Sequence, residues 1–387
     1  MKKIISLLLL SITIYSNAQQ TAKNANATMS IPTGYYNSAT GTGYALKTQL
    51  FNIIKNHNDR GYSGLWTTYG TSDRDHQYEN DDTVIDLYSE NPTGTDPYTY
   101  IYSTNQCGTY NAEGGCYNRE HTVPQSYFGS QVQPMYSDAH FVLPVDGKVN
   151  GWRDDHPYGV VTGTVTPCNS GATNNPCNTL NGSKLGSNFD SGYSTGYSGK
   201  VFEPIDEFKG DIARCLLYFA TRYEDQLIGF YTTTSSEAKV MFDGTSGHTF
   251  SQTFLNILLT WNTQDPVSAR EIERNDAIYA RQNNRNPFID HPEYAAVIWG
   301  QPLAISTFES LTDVAVYPNP SNGIVNISTD ISLNEIDIIT INGQVLQQIK
   351  SPIFENNTYS ISNLPKGFYF LKLASATNSV TKKVLIN

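Results

Sequence analysis

The spacing of apolar positions divides the chain into regions of different period. The segment GYALKTQLFNIIKNH places Leu46, Leu50, Ile53 and Ile54 on one face at the helical repeat. TVIDLYS and YTYIYS read as strands parted by the turn-rich ENPTGTDP. Residues 160–200 are rich in Gly, Ser, Asn and Thr and are expected to form a long surface excursion. A helix follows from about Asp211, with Asp211 as its N-cap; it is apolar nearly all round through Phe219, which places it at the centre of the core. Two more helices are predicted around Ser251–Asn262 and Pro266–Gln282, and NRNPFIDHPEYAAVIWG ends the region near Gly300.

From about Thr312 the period changes to two. VAVYPNP, GIVNIS, IDIITINGQVLQQI, GFYFLKL and KKVLIN are short alternating runs that predict a small β-sandwich, with Asn342-Gly343 as its strongest hairpin signal. At the other end, MKKIISLLLLSITIYSNAQQ has the basic start, apolar run and small residues of a secretory signal peptide cleaved after Ala18. No later stretch is long and apolar enough for a stable membrane span. The expected partition is a signal peptide over 1–18, a main domain over 19–303, a linker over 304–312 and the β domain over 313–387.

Charge and cysteine content narrow the chemistry. A formal charge of −11 argues against nucleic-acid binding as a polycation, but not against an enzyme that reaches a few phosphates through a metal ion. Five cysteines suit an oxidising compartment. Cys107 and Cys116 flank one short loop, Cys168 and Cys177 another, and each pair can close as a disulfide; Cys215 is left as a buried, inert thiol. No CxxC spacing points to a cysteine metal site.

The candidate chemistry lies in CYNREHTVPQSYFG and in PMYSDAHFVLPVDGKVNGWRDDHPYG. A strand ending in Glu120-His121, a second strand HFVLPV, and a helix capped by Asp146 and carrying Asn150 make a ββα unit. Neutral histidine can take a proton from water near neutral pH. A carboxylate and an amide oxygen are hard ligands that hold Mg²⁺ loosely and leave room for phosphate oxygens. Arg153, one turn beyond Asn150, can grip a phosphate. Neighbours on a regular strand face opposite ways, so Glu120 and His121 can converge only where the strand ends, which Pro124 favours. Gly147 and Gly151 weaken the helix, and Gly151 suggests a close approach by another group.

NREHTVPQSYFG, SDAHFVLPVDGKVNGWR, EFKGDIARCLLYFATRY and NRNPFIDHPE resemble the endonuclease I family of secreted or periplasmic nucleases over roughly residues 40–300. The resemblance implies an α+β fold, a ββα-metal nuclease core with surrounding helices, and cleavage of DNA, and often RNA, without sequence preference. It implies His121 as general base, Glu120 and Asn150 as ligands of Mg²⁺ (Mn²⁺ or Ca²⁺ as substitutes), and Asp138 and His140 as a D-x-H pair that supports and orients the catalytic set. Arg153 matches an arginine after the metal-binding asparagine. A Cys- and Arg-rich insertion carried by some members is replaced here by SQVQPMY, so Arg119, Arg153 or Arg285 would supply the substrate contacts. Arg285 also sits in a turn-like segment, where anchoring a loop is the competing role.

Tyr317-Pro318-Asn319-Pro320, Asn322-Gly323, NGQVL, LPKGFYFLKL and the terminal KKVLIN resemble the C-terminal sorting domain of type IX secretion, which implies that secretion machinery as a partner. The competing readings are a zinc hydrolase using His121, His140 and His156, an adhesive or carbohydrate-binding tail, and an exported binding protein on a decayed nuclease fold.

Overall fold

The computed structural model describes residues 30–168, 176–300, 314–329, 332–340, 345–355, 358–375 and 379–387. The chain forms two units, Met1–Gly300 and Gln301–Asn387. The expected signal peptide, the linker over 304–312 and the Asn342-Gly343 turn lie outside the described residues.

The first unit opens with α1 (Gly43–Ile54) and α2 (Gly64–Ser72). Leu46, Leu50 and Ile54 of α1 are buried on the face that its period foretold, with Ile53 at its margin. TVIDLYS and YTYIYS do not form strands. Val84 makes only isolated bridges, to Tyr100 and Arg74, because the carbonyl of Asp86 turns the chain by accepting from the amides of Ser89 and Glu90. Next come β1 (Tyr117–His121), β2 (Val142–Asp146) and α3 (Gly147–Arg153).

Residues 160–200 are only partly the surface excursion expected. They supply most of a small sheet, β3 (Thr166–Pro167), β4 (Cys177–Asn178), β5 (Lys184–Ser187) and β6 (Lys200–Glu203), joined in that order. Leu185, Val201 and Phe202 turn inward from it. The disulfides Cys107–Cys116 and Cys168–Cys177 are both formed. Cys215 is free and buried, and burial pushes its thiol up to about 12.

The helices α4 (Lys209–Arg222), α5 (Leu227–Thr233), α6 (Gln252–Gln264), α7 (Ala269–Gln282), α8 (Pro287–Asp290) and α9 (Glu293–Ile298) complete the unit. Every residue of α4 is buried, the apolar stretch through Phe219 as expected and the charged Lys209, Asp211 and Arg214 through ion pairs. Asp211 is not its cap. A 3₁₀ turn over Asp206–Phe208 runs straight into the helix, and the Asp211 carboxylate pairs instead with Arg214 and Arg270. Arg214 meets Glu271 through two hydrogen bonds of 2.6 and 2.8 Å, while Glu271 also closes the capping box with Ser268 at the start of α7. The pairing ties the central helix to α7, and loss of either partner would strand a buried charge.

In the second unit, β7 (Ala315–Tyr317), β8 (Ile324–Ser328), β9 (Glu335–Thr340), β10 (Val345–Lys350), β11 (Phe354–Glu355), β12 (Thr358–Ser362), β13 (Gly367–Ala374) and β14 (Ser379–Ile386) make two four-stranded sheets, β10-β9-β13-β14 and β11-β12-β8-β7. Val325, Ile327 and Ile361 of one sheet share a core with Ile336, Ile338 and Leu371 of the other, which is the inward set of the period-two pattern.

Candidate active site

The β1 and β2 strands pair antiparallel, with Glu120 opposite Leu143 and His121 opposite Val142. Asp146 ends β2 and caps α3 by accepting the amide of Val149 at 2.7 Å; its other oxygen accepts from Gly114 N at 2.8 Å and from the Tyr100 hydroxyl. The amide of Asp146 in turn donates to Asp86 Oδ2 at 2.7 Å. Burial, and then the charge of Asp146, raise the Asp86 carboxyl well above its ordinary range. Strand-to-helix geometry is thus fixed by a closed set of buried hydrogen bonds. Tyr110, on the loop closed by the Cys107–Cys116 disulfide, lies against Gly147 and Gly151, where any Cβ would collide with its ring. That is the close approach expected at Gly151.

The β1 strand stops at His121, and one further bond, Thr122 N to Phe141 O at 3.1 Å, precedes Pro124. The adjacent side chains of Glu120 and His121 consequently both reach one cleft of about 330 Å³, lined also by Arg119, Asn150 and Arg153.

Glu120 is 2 % exposed. Its Oε1 accepts from Tyr88 at 3.0 Å and Tyr158 at 3.1 Å and lies 3.2 Å from Arg153 Nη1. No hydrogen bond to its Oε2 occurs among the described residues. Burial raises its pKa, against the lowering effect of Arg153 and the two phenols. Asn150 donates through Nδ2 to Asn118 Oδ1 at 2.8 Å, so its own Oδ1 is left as an acceptor. Asn118 and Glu120 are two apart on β1 and share a face. One carboxylate oxygen and one amide oxygen, each held by its partner atom and each without a hydrogen bond of its own, fit the hard donor set of Mg²⁺.

His121 Nε2 lies 3.1 Å from the carbonyl of Tyr136. A carbonyl only accepts, so Nε2 carries the proton and Nδ1 keeps its lone pair. Tyr136 stacks on the imidazole at 5.6 Å with an 8° angle between planes, and Tyr62 lies beyond. Burial lowers the imidazole pKa to about 3, helped by the charges of Arg119 and Arg153, so the ring is neutral at neutral pH.

The two arginines of the cleft differ. Arg153 is buried and committed inward, donating to His121 O at 3.1 Å and Thr122 O at 2.8 Å besides its pairing with Glu120. Arg119 has its guanidinium 3.5 Å from the Tyr62 ring centre and 4.2 Å from that of Trp66, and donates to Tyr62 O at 3.0 Å. No carboxylate pairs with it among the described residues.

Asp138 and His140 stand outside the cleft lining, in the core behind it. Asp138 accepts from Tyr218 at 2.8 Å, Tyr223 at 2.7 Å and Gln282 at 2.9 Å, and His140 Nε2 is 3.0 Å from Asn284 O. They join β2 to α4 and to the end of α7. Arg285 corrects the expectation of a substrate contact. It is fully buried, with Asp290 at 2.6 and 2.8 Å and Asp276 at 2.6 Å, because these carboxylates brace the loop between α7 and α8. The zinc alternative also fails on geometry: no three-ligand group containing His121, His140 and His156 converges among the described residues, and His156 pairs with Glu237 at 2.7 Å.

Several residues of the site have no role in the sequence reading. Tyr88, Tyr158 and Asn118 set the oxygens of Glu120 and Asn150, and Tyr136 sets the tautomer of His121 through its backbone. A tyrosine-rich chain hides two such phenols among 26.

Residues 42–293 match the family described as Endonuclease I, and residues 315–387 match the secretion system C-terminal sorting domain. The extracellular ribonuclease of Bacillus subtilis (strain 168) is 35% identical over 272 residues, covering 68% of this chain and 78% of that protein. That of Bacillus amyloliquefaciens is 34% identical over 269 residues, with coverages of 68% and 78%. A solved structure of PorZ, a type-IX secretion component of Porphyromonas gingivalis, aligns at 20% identity over 20% of this chain and 12% of its own, with a TM-score of 0.17, too slight to bear on the fold. With its α+β core and its sorting domain, the chain belongs to the Endonuclease I family and is an extracellular or cell-surface nuclease.

Proposed function

We propose that the protein is a Mg²⁺-dependent endonuclease that hydrolyses DNA and RNA without sequence preference, with His121 as general base and Glu120 and Asn150 as the metal ligands. The observation that carries this reading is the forced role of each polar atom at the cleft. Glu120 Oε2 and Asn150 Oδ1 have no hydrogen-bond partner among the described residues, and His121 Nδ1 is an acceptor because Nε2 is spent on Tyr136. The relatives' name, extracellular ribonuclease, places RNA among the substrates to be tested.

In this mechanism Arg119 receives a backbone phosphate, since its charge is unpaired and its plane is already fixed by Tyr62 and Trp66. His121 Nδ1 takes the proton of a water that attacks phosphorus, the opposite P–O bond breaks, and the leaving oxygen takes a proton from solvent while His121 returns its own to solvent, giving a phosphate and a hydroxyl end. Mg²⁺, when bound, supplies Lewis-acid stabilisation of the charge that builds on the phosphate oxygens. Tyr88, Tyr158 and Arg153 hold Glu120 in place throughout. Contacts confined to phosphate carry no base information, which accounts for cleavage without sequence preference.

The test is digestion of plasmid DNA and of RNA by the secreted protein, with EDTA and after restoring Mg²⁺. Activity that survives complete chelation removes the metal mechanism. Anomalous density from a Mn²⁺-soaked crystal should fall between Glu120 and Asn150. A wild type as inactive as His121→Ala would favour the binding-protein reading instead.

A further inference from the structure

A second group of hard oxygen donors lies apart from the cleft. Carboxylate oxygens of Glu79, Glu90 and Asp96 lie within 4.8 Å of one another. Glu79 is exposed, Asp96 is half-buried and Glu90 is only 2 % exposed. The Oε1 atom of Glu90 is buried and has no hydrogen-bond partner, and the Glu90 carboxylate is the buried member of the cluster. No lysine, arginine or histidine pairs with any of the three among the described residues.

The surrounding backbone holds this arrangement rather than relaxing it. Asp75 accepts the amides of Gln77 at 3.0 Å, Tyr78 at 2.9 Å and Asn80 at 2.8 Å, which folds its loop tightly and presents Glu79. Asn91 N donates to Asp96 Oδ1 at 2.6 Å, and Glu90 is tied by its own amide to Asp86 O and by its carbonyl to Asn181 Nδ2. None of these bonds uses a carboxylate oxygen of Glu79 or Glu90. Burial, then repulsion from Asp96, Glu79 and Asp75, favours a proton on Glu90 when no cation is bound; Arg270, the opposing charge, meets Asp211 through Nη2 alone. A divalent cation is the group that would let all three carboxylates ionise side by side.

We propose that Glu79, Glu90 and Asp96 bind a structural Ca²⁺ ion that pins the 75–82 loop to the 90–96 loop, independently of the catalytic metal. Donors from three separate loop positions suit Ca²⁺, which accepts irregular shells of carboxylate, carbonyl and water oxygens, better than octahedral Mg²⁺. Extracellular sites of this kind bind with dissociation constants on the order of 10⁻⁴–10⁻³ M, which a secreted protein can fill.

The test uses the full secreted chain, stripped with EDTA and titrated with Ca²⁺ alone. Thermal midpoint is the readout, so no activity is needed. A Glu120→Gln, Asn150→Ala double variant removes the catalytic ligands. The expected result is a rise of roughly 5 °C near hundredfold saturation in the wild type and in that double variant. The rise should be lost in Glu90→Gln and much weakened in Glu79→Gln, whose exposed position guarantees a folded control. Terbium(III) luminescence excited through tyrosine, with Tyr78 adjacent to Glu79, should follow the same order. No shift in the wild type, or one that disappears with the catalytic ligands but persists in Glu90→Gln and Glu79→Gln, overturns the proposal.

Discussion

The Nε2 of His121 lies 3.1 Å from the backbone carbonyl of Tyr136, and that one contact decides which imidazole nitrogen can act as a base. The Tyr136 ring, within 8° of parallel to the imidazole and itself stacked on Tyr62, limits rotation of the imidazole. His121→Gln can keep a donor toward Tyr136 but offers no proton acceptor comparable to Nδ1. Initial rates on plasmid should therefore fall by roughly 10²–10⁴-fold in His121→Gln as well as in His121→Ala, with thermal midpoints near wild type for the glutamine variant. Substantial activity in His121→Gln would show that the ring serves only to pack.

Tyr88 and Tyr158 lie 2.7 Å apart and both sit within 3.1 Å of the same oxygen of Glu120, so their two protons are shared over three contacts. They orient the carboxylate without reaching the cleft lining themselves. Tyr158→Phe should raise the Mg²⁺ concentration for half-maximal activity by roughly 10-fold or more, while the rate at saturating Mg²⁺ changes little. Metal titrations of the two enzymes side by side check this. An unchanged midpoint with a reduced maximum would mean that the phenol acts on the substrate.

His140 predicts how stability depends on pH. Burial lowers its pKa from 6.5 to about 4, with Asp138 opposing and Arg274 and His57 assisting. The unfolded chain binds this proton below about 6.5 and the folded chain does not, so stability is complete above that pH and declines as pH falls toward 4. One such group gives a slope near 1.4 kcal/mol per pH unit, or about 2 kcal/mol by pH 5. Urea unfolding at pH 7.5, 6 and 5 should show this loss, and His140→Gln should flatten the curve. An equal slope in the variant would assign the effect to His57 or His121, which are lowered by burial in the same way.

The helical periods of α1, α6 and α7 and the alternation of the C-terminal strands were legible because each element buries one regular face, and α4 because its apolar stretch lies in the core on all sides. The ββα unit was legible because Asp146, Gly151 and Pro124 mark local backbone requirements. TVIDLYS misled, since Val84, Ile85 and Leu87 are buried by a turning chain whose shape depends on Asp86 reaching Asp146. Arg285 misled for a related reason. A lone arginine in a polar loop reads as available, and only the fold brings Asp276 and Asp290 onto it. The supporting phenols of Glu120 come from positions 32 residues before it and 38 after it, where no local pattern can signal the contact.

Arg119 and Arg153 line the same cleft, yet their surroundings assign them different duties. Arg119 is clamped between aromatic rings with its charge unpaired, whereas Arg153 is spent on two carbonyls and on Glu120. Binding of a short DNA duplex, measured by fluorescence anisotropy in a His121→Ala background across a range of KCl, separates them. Loss of one phosphate contact in Arg119→Gln should weaken binding and reduce the slope of log K against log salt by about 0.9. Arg119→Lys should keep the slope but bind less well, because lysine cannot reproduce the stacked fork. Arg153→Gln should leave the slope unchanged and instead destabilise the fold by roughly 3–5 kcal/mol, since it leaves Glu120 buried without its cation. A reduced salt slope in Arg153→Gln with normal stability would reverse the two assignments and move the phosphate to the α3 side of the cleft.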